Sequence, residues 1–139
     1  MSSPPPAHLP TPAALIDVAR MQRNIARMQS RLDALGVAFR PHVKTSKCWP
    51  VVQAQLAAGA RGITVSTLKE AREFHAAGVR DILYAVGIAP HRLGEVLELR
   101  RAGCDLKIIA DSREAAEQVA AFGLAHEHAF EVWIEIDTD

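Results

Sequence analysis

Residues 62–78, GITVSTLKEAREFHAAG, contain a short apolar strand followed by a complete helix signal. The run 62–66 is rich in β-branched residues, which favour strands. Thr67 and Glu70 have the spacing of a capping box, in which each side chain accepts a backbone N–H group at the start of a helix. Gly78 is typical of the residue after a last helical turn, because glycine tolerates left-handed backbone angles. This stretch therefore predicts one β/α unit.

The same pattern repeats on both sides of this unit. Apolar or β-branched runs predict further strands at residues 39–44, 81–86, 106–110 and 130–137. Helices are predicted to begin at Asp17, Pro50, Pro90 and Ser112, and to close at Gly36, Gly59, Gly103 and Gly123. Strands that alternate regularly with helices form parallel sheets with right-handed crossovers, so the chain predicts an α/β fold.

Two parallel architectures fit this pattern, an open sheet and a closed barrel. The chain has no glycine-rich phosphate loop of the kind that marks nucleotide-binding open sheets. A (β/α)8 barrel needs eight strands and about 250 residues, whereas the 139 residues here supply about five β/α units. We therefore interpret residues 12–139 as the N-terminal part of a TIM-type barrel, truncated before its last strands, after a proline-rich leader at residues 1–11. Such a half-barrel is expected to be unstable by itself.

Composition excludes several classes of function. The 16 basic and 16 acidic residues cancel, which argues against a nucleic-acid-binding protein. No stretch approaches the roughly 20 apolar residues of a membrane span, so we expect no membrane partner. The two cysteines, Cys48 and Cys104, are too few and too far apart for a disulfide framework. These features favour a cytoplasmic protein.

The first predicted strand carries an unusual row of cationic side chains. Because side chains alternate along a strand, one face holds Phe39, Pro41 and Val43 and the other holds Arg40, His42 and Lys44. If the apolar face packs under the helices, the second face lies inside the barrel, where cations need an anionic partner. Lys44 would lie at the carboxyl end of the strand, where barrel active sites gather. This position favours a lysine that binds a carbonyl cofactor or an anionic substrate; a solvated lysine on an edge strand is the alternative.

Other polar residues are weaker candidates. Ser66 and Thr67 follow the second strand and could reach the mouth of the barrel, although Thr67 is already predicted to cap a helix. Three carboxylates of the last strand could pair with the cationic row, namely Glu131, Glu135 and Asp137. His126 and His128 lack the further ligands that a metal site needs, so no metal site is predicted in this chain.

Several motifs together resemble one group of enzymes. They are Arg-Pro-His-Val-Lys-Thr at 40–45, Thr-Pro-Ala at 11–13, and the stretches at 62–71, 81–85 and 135–137. In these the chain is similar to D-threonine aldolases and eukaryotic-type D-serine dehydratases, which belong to the alanine-racemase-like, fold type III group of pyridoxal-phosphate enzymes. The family often has Lys-Thr-His-Lys where this chain has Ser46 as the third residue.

This resemblance implies a cofactor and a reaction. It places the Schiff base with pyridoxal 5′-phosphate on Lys44, with His42, and less directly Arg40 and Thr67, as further cofactor-binding residues. It implies a lyase that cleaves or dehydrates small D-amino acids and works as a homodimer when full length. The divalent metal of such enzymes is held in a C-terminal β-domain, outside this chain. An amino-acid racemase of the same fold and a non-catalytic pyridoxal-phosphate carrier remain alternatives.

Overall fold

The computed structural model describes residues 9–138 and contains one parallel sheet with helices on one face. Its strands, in the order β1-β2-β3-β4 across the sheet, are β1 Ile63–Val65, β2 Asp81–Gly87, β3 Asp105–Ala110 and β4 Val132–Ile134. Its helices are α1 Val18–Ala34, α2 Trp49–Ala57, α3 Leu68–Ala76, α4 Leu93–Arg101, which follows a 3-10 turn at Pro90–Arg92, and α5 Arg113–Ala125. All neighbouring strands pair in parallel, as a partial TIM-type barrel requires. Most of the predicted leader lies outside the described residues.

The predicted strand at 39–44 is present as a short segment beside β1. His42 forms an isolated parallel bridge with Thr64. Backbone hydrogen bonds of 2.9 Å join Val43 N–H to the Thr64 carbonyl and Thr64 N–H to the Pro41 carbonyl. The ladder is short because Pro41 has no N–H to donate and because the chain turns immediately after Lys44. The segment therefore holds the first position of the barrel without being a full strand.

The predicted helix caps are confirmed. The side-chain oxygens of Asp17, Thr67 and Ser112 each accept the backbone N–H of the residue three positions later. These bonds satisfy N–H groups that a helix leaves without an internal partner. Helices α1, α3 and α5 thus begin where the local sequence predicts, whereas the helix predicted from Pro90 starts as a 3-10 turn and becomes α-helical at Leu93.

The core lies between the helices and one face of the sheet. Its largest fully buried side chains are aliphatic and come from strands, helices and the segment beside β1: Val43, Val52, Ile63, Val65, Leu68, Ile82, Leu93, Val96, Leu106 and Ile108. The opposite face of the sheet is the one that a closed barrel turns inward. No helix in the described part of the chain is long and apolar enough to cross a membrane.

The predicted end of α5 is wrong. The helix continues through Gly123 to Ala125, and Gly123 is buried instead of forming a left-handed cap. A Cβ atom there would lie 2.7 Å from the His128 carbonyl oxygen. Glycine is therefore needed at this position because the chain returning from α5 packs against the helix backbone.

This close approach predicts opposite effects of two glycine substitutions. Gly123→Ala should lower the free energy of unfolding by about 1–3 kcal/mol, since the new methyl group meets backbone rather than a movable side chain. Gly94→Ala is the matched control, because a Cβ atom at Gly94 in α4 meets nothing within 4 Å; it should be neutral or stabilise by up to about 1 kcal/mol. Chemical denaturation measures both, and equal effects would contradict the packing explanation.

Candidate functional site

The cationic row faces the inside of the partial barrel. His42 is paired with Thr64, and the strand register continues from Thr64 to Leu83 and from Leu83 to Lys107. On the other side of the same segment, Val43 is only 1% exposed, beneath the helices. The predicted division of the two faces is therefore confirmed, and Arg40, His42 and Lys44 lie on the interior side.

Lys44 lies at the carboxyl end of the bridged segment and is exposed. Among residues 9–138 we find no hydrogen bond or ion pair to its Nζ atom. Its backbone N–H donates to Nδ1 of His42 at 3.3 Å. The Lys44 backbone is thus held near the mouth of the barrel, while its side chain is exposed.

His42 connects Lys44 to the end of β1. Since Nδ1 accepts the Lys44 N–H, the ring proton is assigned to Nε2, which lies 3.3 Å from Ser66 Oγ and donates to it. Partial desolvation lowers the pKa of His42 although the residue is exposed, and the neighbouring positive charge of Lys44 lowers it further. The imidazole is therefore neutral at neutral pH, as the hydrogen bond accepted by Nδ1 requires.

This arrangement predicts the titration of His42. Its pKa should lie below the ordinary value of about 6.5, with the proton on Nε2 at neutral pH. Because the folded-state pKa is depressed, the stability that His42 contributes is present above the unfolded pKa and is lost as the pH falls through the folded pKa. Long-range ¹H–¹⁵N correlation spectra measure the pKa and the tautomer. A pKa above 6.5, or a proton on Nδ1 at pH 7, would contradict the geometry.

Arg40 is engaged by a carboxylate that sequence analysis did not single out. Its Nε and Nη2 atoms donate to the two oxygens of Asp81, at 3.1 and 2.7 Å. Lys107 Nζ lies 3.0 Å from Asp81 Oδ1 and also contacts Asp105. The Arg40 guanidinium also lies 5.4 Å from the centre of the Trp133 ring.

The partner of Arg40 differs from the sequence-based expectation. Arg40 pairs with Asp81, the first residue of β2, and not with a carboxylate of the last strand; Glu131 instead accepts a hydrogen bond from Trp133 Nε1 at 3.0 Å. Burial raises the pKa of Asp81, but the hydrogen bonds from Arg40 and Lys107 outweigh it, so the net pKa is lowered. The sequence feature that could have identified Asp81 is an acidic residue at the start of an apolar strand, at a position that faces the interior. The Arg40 guanidinium is thus already paired with Asp81, and the cofactor-binding role of Arg40 stays a prediction.

Thr67 and Glu70 form the predicted capping box at the start of α3. Thr67 Oγ1 accepts the Glu70 N–H at 3.0 Å, and Glu70 Oε2 accepts the Ser66 N–H at 2.9 Å. The predicted capping role of Thr67 is therefore confirmed, and its oxygen is occupied by that bond. The cofactor-binding role of Thr67 stays a prediction.

The two histidines of the last loop have separate partners. The His126 ring packs on Phe122, with ring centres 4.2 Å apart, while His128 Nε2 accepts a hydrogen bond from Arg100 Nε at 3.0 Å. Between residues 9 and 138 no group of three or more His, Cys, Asp or Glu side chains is arranged to hold a metal ion.

Comparison with known proteins identifies the family. The family model described as alanine racemase, N-terminal domain, matches residues 16–139. The chain belongs to this family. The family resemblance in the sequence motifs is thereby confirmed, and with it a fold type III barrel.

Curated relatives in this family are lyases. The chain is 70% identical over 131 residues to D-threo-3-hydroxyaspartate dehydratase of Delftia sp. strain HT23, covering 94% of this chain and 34% of that enzyme. It is 33% identical over 134 residues to D-threonine aldolase of Arthrobacter sp., covering 96% and 35%. It is 30% identical over 139 residues to D-serine dehydratase of Dictyostelium discoideum, covering 94% and 35%. The chain thus spans about a third of the length of the relatives it matches.

Solved structures agree with the fold. The D-threo-3-hydroxyaspartate dehydratase from Delftia sp. HT23 superposes with a TM-score of 0.93 at 70% identity, over 95% of this chain and 35% of that chain. A mutant of D-threo-3-hydroxyaspartate dehydratase in the metal-free form matches equally well, with the same TM-score, identity and coverage.

Proposed function

We propose that this chain is the cofactor-binding part of a pyridoxal-phosphate-dependent lyase that dehydrates a D-3-hydroxyaspartate-type amino acid. The observation that carries the proposal is the exposed Lys44 amine at the carboxyl end of a parallel barrel segment, without a partner among residues 9–138. The 70% identity to D-threo-3-hydroxyaspartate dehydratase supports dehydration over aldol cleavage, since the aldolase relative is only 33% identical.

The residues present fit this cofactor. Pyridoxal phosphate needs a primary amine to hold its aldehyde carbon. Lys44 offers an amine that forms no ion pair with any residue in the described part of the chain. His42 and Ser66 lie beside it, and their hydrogen bond leaves the Ser66 hydroxyl hydrogen available to donate. When bound, the cofactor would supply an electron sink for the bonds around the substrate Cα atom.

The chain's own residues then have distinct tasks. We assign two successive tasks to Lys44 Nζ: it would hold the cofactor and, once the substrate amine has displaced it, it would move the proton of the substrate Cα. We assign His42 an indirect role and no contact with the substrate. Its neutral ring accepts the Lys44 backbone N–H and so restricts the position of the backbone from which the Lys44 side chain extends. Holding reacting groups in place can account for about 7–11 kcal/mol of a barrier, so this restriction matters for rate.

We also propose that the complete protein needs a divalent metal held outside this chain. The metal-free form recorded for a D-threo-3-hydroxyaspartate dehydratase mutant supports this requirement. A homodimer is the assembly that we carry over from the family resemblance. Cys48 and Cys104 are both free thiols in the structure, which supports the cytoplasm as its compartment.

The proposal is tested by product analysis with the complete protein that carries this chain. With pyridoxal phosphate and a divalent metal, D-threo-3-hydroxyaspartate should yield a 2-oxo acid and ammonia, whereas its L-enantiomer should not react. A chelator should abolish the reaction, and added metal should restore it.

The alternatives give different products. Formation of glycine and an aldehyde from D-threonine, without ammonia, would show that the reaction is aldol cleavage and not dehydration. Exchange of the Cα proton with inversion, and no lyase product, would establish a racemase. Cofactor binding without any turnover of D-amino acids would establish a carrier protein.

A further inference from the structure

Glu70 is a buried carboxylate that the proposed chemistry does not use. It lies in the first turn of α3 and is only 6% exposed. Oε2 accepts the Ser66 N–H at 2.9 Å, and Oε1 lies 3.0 Å from Lys47 Nζ. The second contact goes beyond a capping box, because it ties α3 to the turn that follows Lys44.

Glu70 is connected to this turn in two ways, and the first is its direct contact with Lys47, the last residue of the turn. Lys47 N–H donates to the Val43 carbonyl at 2.9 Å and so closes the turn. Lys47 has φ of 44°, a left-handed conformation that is uncommon for residues with a side chain. Such a conformation persists where surrounding contacts hold it. The ion pair with the buried Glu70 is one such contact.

The second connection reaches Lys44, at the near end of the turn. Glu70 holds the Ser66 backbone, Ser66 Oγ accepts from His42 Nε2, and His42 Nδ1 accepts the Lys44 N–H. Glu70 is therefore joined to both ends of the four-residue turn 44–47, directly through Lys47 and indirectly through Ser66 and His42.

We propose that Glu70 is a positioning residue, which fixes the turn 44–47 and with it the direction in which Lys44 presents its amine. We call the two connections from Glu70 to this turn the clamp. The clamp rests on the contacts above, and only its purpose, orienting Lys44, rests on the proposed function. The competing explanation is that Glu70 only caps α3, in which case its loss would affect that helix and not the turn.

The experiment compares three variants of the complete protein, Glu70→Gln, Lys47→Met and the double substitution. Glutamine keeps the size of Glu70 and an acceptor for the Ser66 N–H, so α3 stays capped while the ion pair is lost. The matched control is Glu73→Gln, an exposed carboxylate one turn further along the same helix. Hydrogen exchange of the backbone amides is measured on cofactor-free protein by mass spectrometry, and the dissociation constant of pyridoxal phosphate is measured separately.

We expect amide exchange in the turn 44–47 to become about three- to fivefold faster in Glu70→Gln, because an ion pair between the buried Glu70 and a lysine side chain that is 61% exposed is lost. Exchange in α3 should stay unchanged, and the cofactor dissociation constant should rise by a similar factor. Lys47→Met should match it, and the double substitution should add little, because both residues act through one contact.

Unchanged exchange in the turn would overturn the clamp, as would an equal effect of Glu73→Gln or faster exchange in α3 alone. If the unsubstituted protein does not bind pyridoxal phosphate, the proposed function fails; the exchange measurement still decides the clamp, because it uses cofactor-free protein.

Discussion

Replacing Lys44 with alanine in the complete protein should lower kcat by at least about a thousandfold and prevent covalent attachment of pyridoxal phosphate. One side chain is assigned two tasks, holding the cofactor and moving the Cα proton. Proton transfer by a positioned group alone typically contributes 10²–10⁴-fold, and a cofactor that is not anchored is also poorly placed for reaction.

The attachment site is measured directly by borohydride reduction in the presence of the cofactor, followed by peptide mass analysis. The tag should be found on Lys44. Lys69→Ala is the matched control, because Lys69 is an exposed lysine on α3, and it should leave activity and tag unchanged. A tag on Lys47, Lys69 or Lys107 would contradict the assignment of Lys44.

Replacing Asp81 with asparagine should destabilise the folded protein by about 3 kcal/mol. Asp81 is the common anionic partner of Arg40 and Lys107, and Lys107 is almost completely buried. Removing one partner of a buried ion pair typically costs about 3–5 kcal/mol. Here Arg40 would lose its carboxylate partner, and Lys107 would keep only the exposed Asp105. We expect the low end because the Asp81 side chain is 24% exposed. Chemical denaturation of the complete protein measures the loss.

Asp105→Asn is the matched control for that substitution. Asp105 also contacts Lys107, but its side chain is 53% exposed and Lys107 keeps Asp81 as a partner. This control should therefore cost less than 1 kcal/mol, in the range of exposed ion pairs. Equal losses in the two variants would contradict the central role of Asp81.

The acid dependence of stability gives a second check on Asp81. Because the folded-state pKa of Asp81 is depressed, its contribution is present above the unfolded pKa of about 3.9 and is lost as the pH falls through the folded-state value. The free energy of unfolding of Asp81→Asn should therefore decrease less steeply below pH 4 than that of the unsubstituted protein.

Features that depend on neighbouring residues were predictable from the sequence alone. The caps at Asp17, Thr67 and Ser112 use a side chain and a backbone N–H three residues apart, so their geometry follows from local spacing. The alternation of strands and helices, and the placing of Lys44 on the face opposite Val43, likewise follow from the periods of the two elements. The β/α architecture and the candidate lysine therefore came from the sequence.

Contacts between distant residues were decided only by the tertiary structure. Arg40 and Asp81 are 41 positions apart, and several interior carboxylates could have met Arg40 until the strand register brought Asp81 beside it. The sequence likewise marks Glu70 as a cap, but its ion pair with Lys47 depends on how the turn after Lys44 packs on α3. The sequence pattern predicts that α5 ends before Gly123, yet Gly123 lies inside α5, where the His128 carbonyl oxygen packs closely against it. The physical reason is common to all three: backbone geometry determines the contacts between residues that are close in sequence, whereas the packing of separate elements determines which distant residues come into contact.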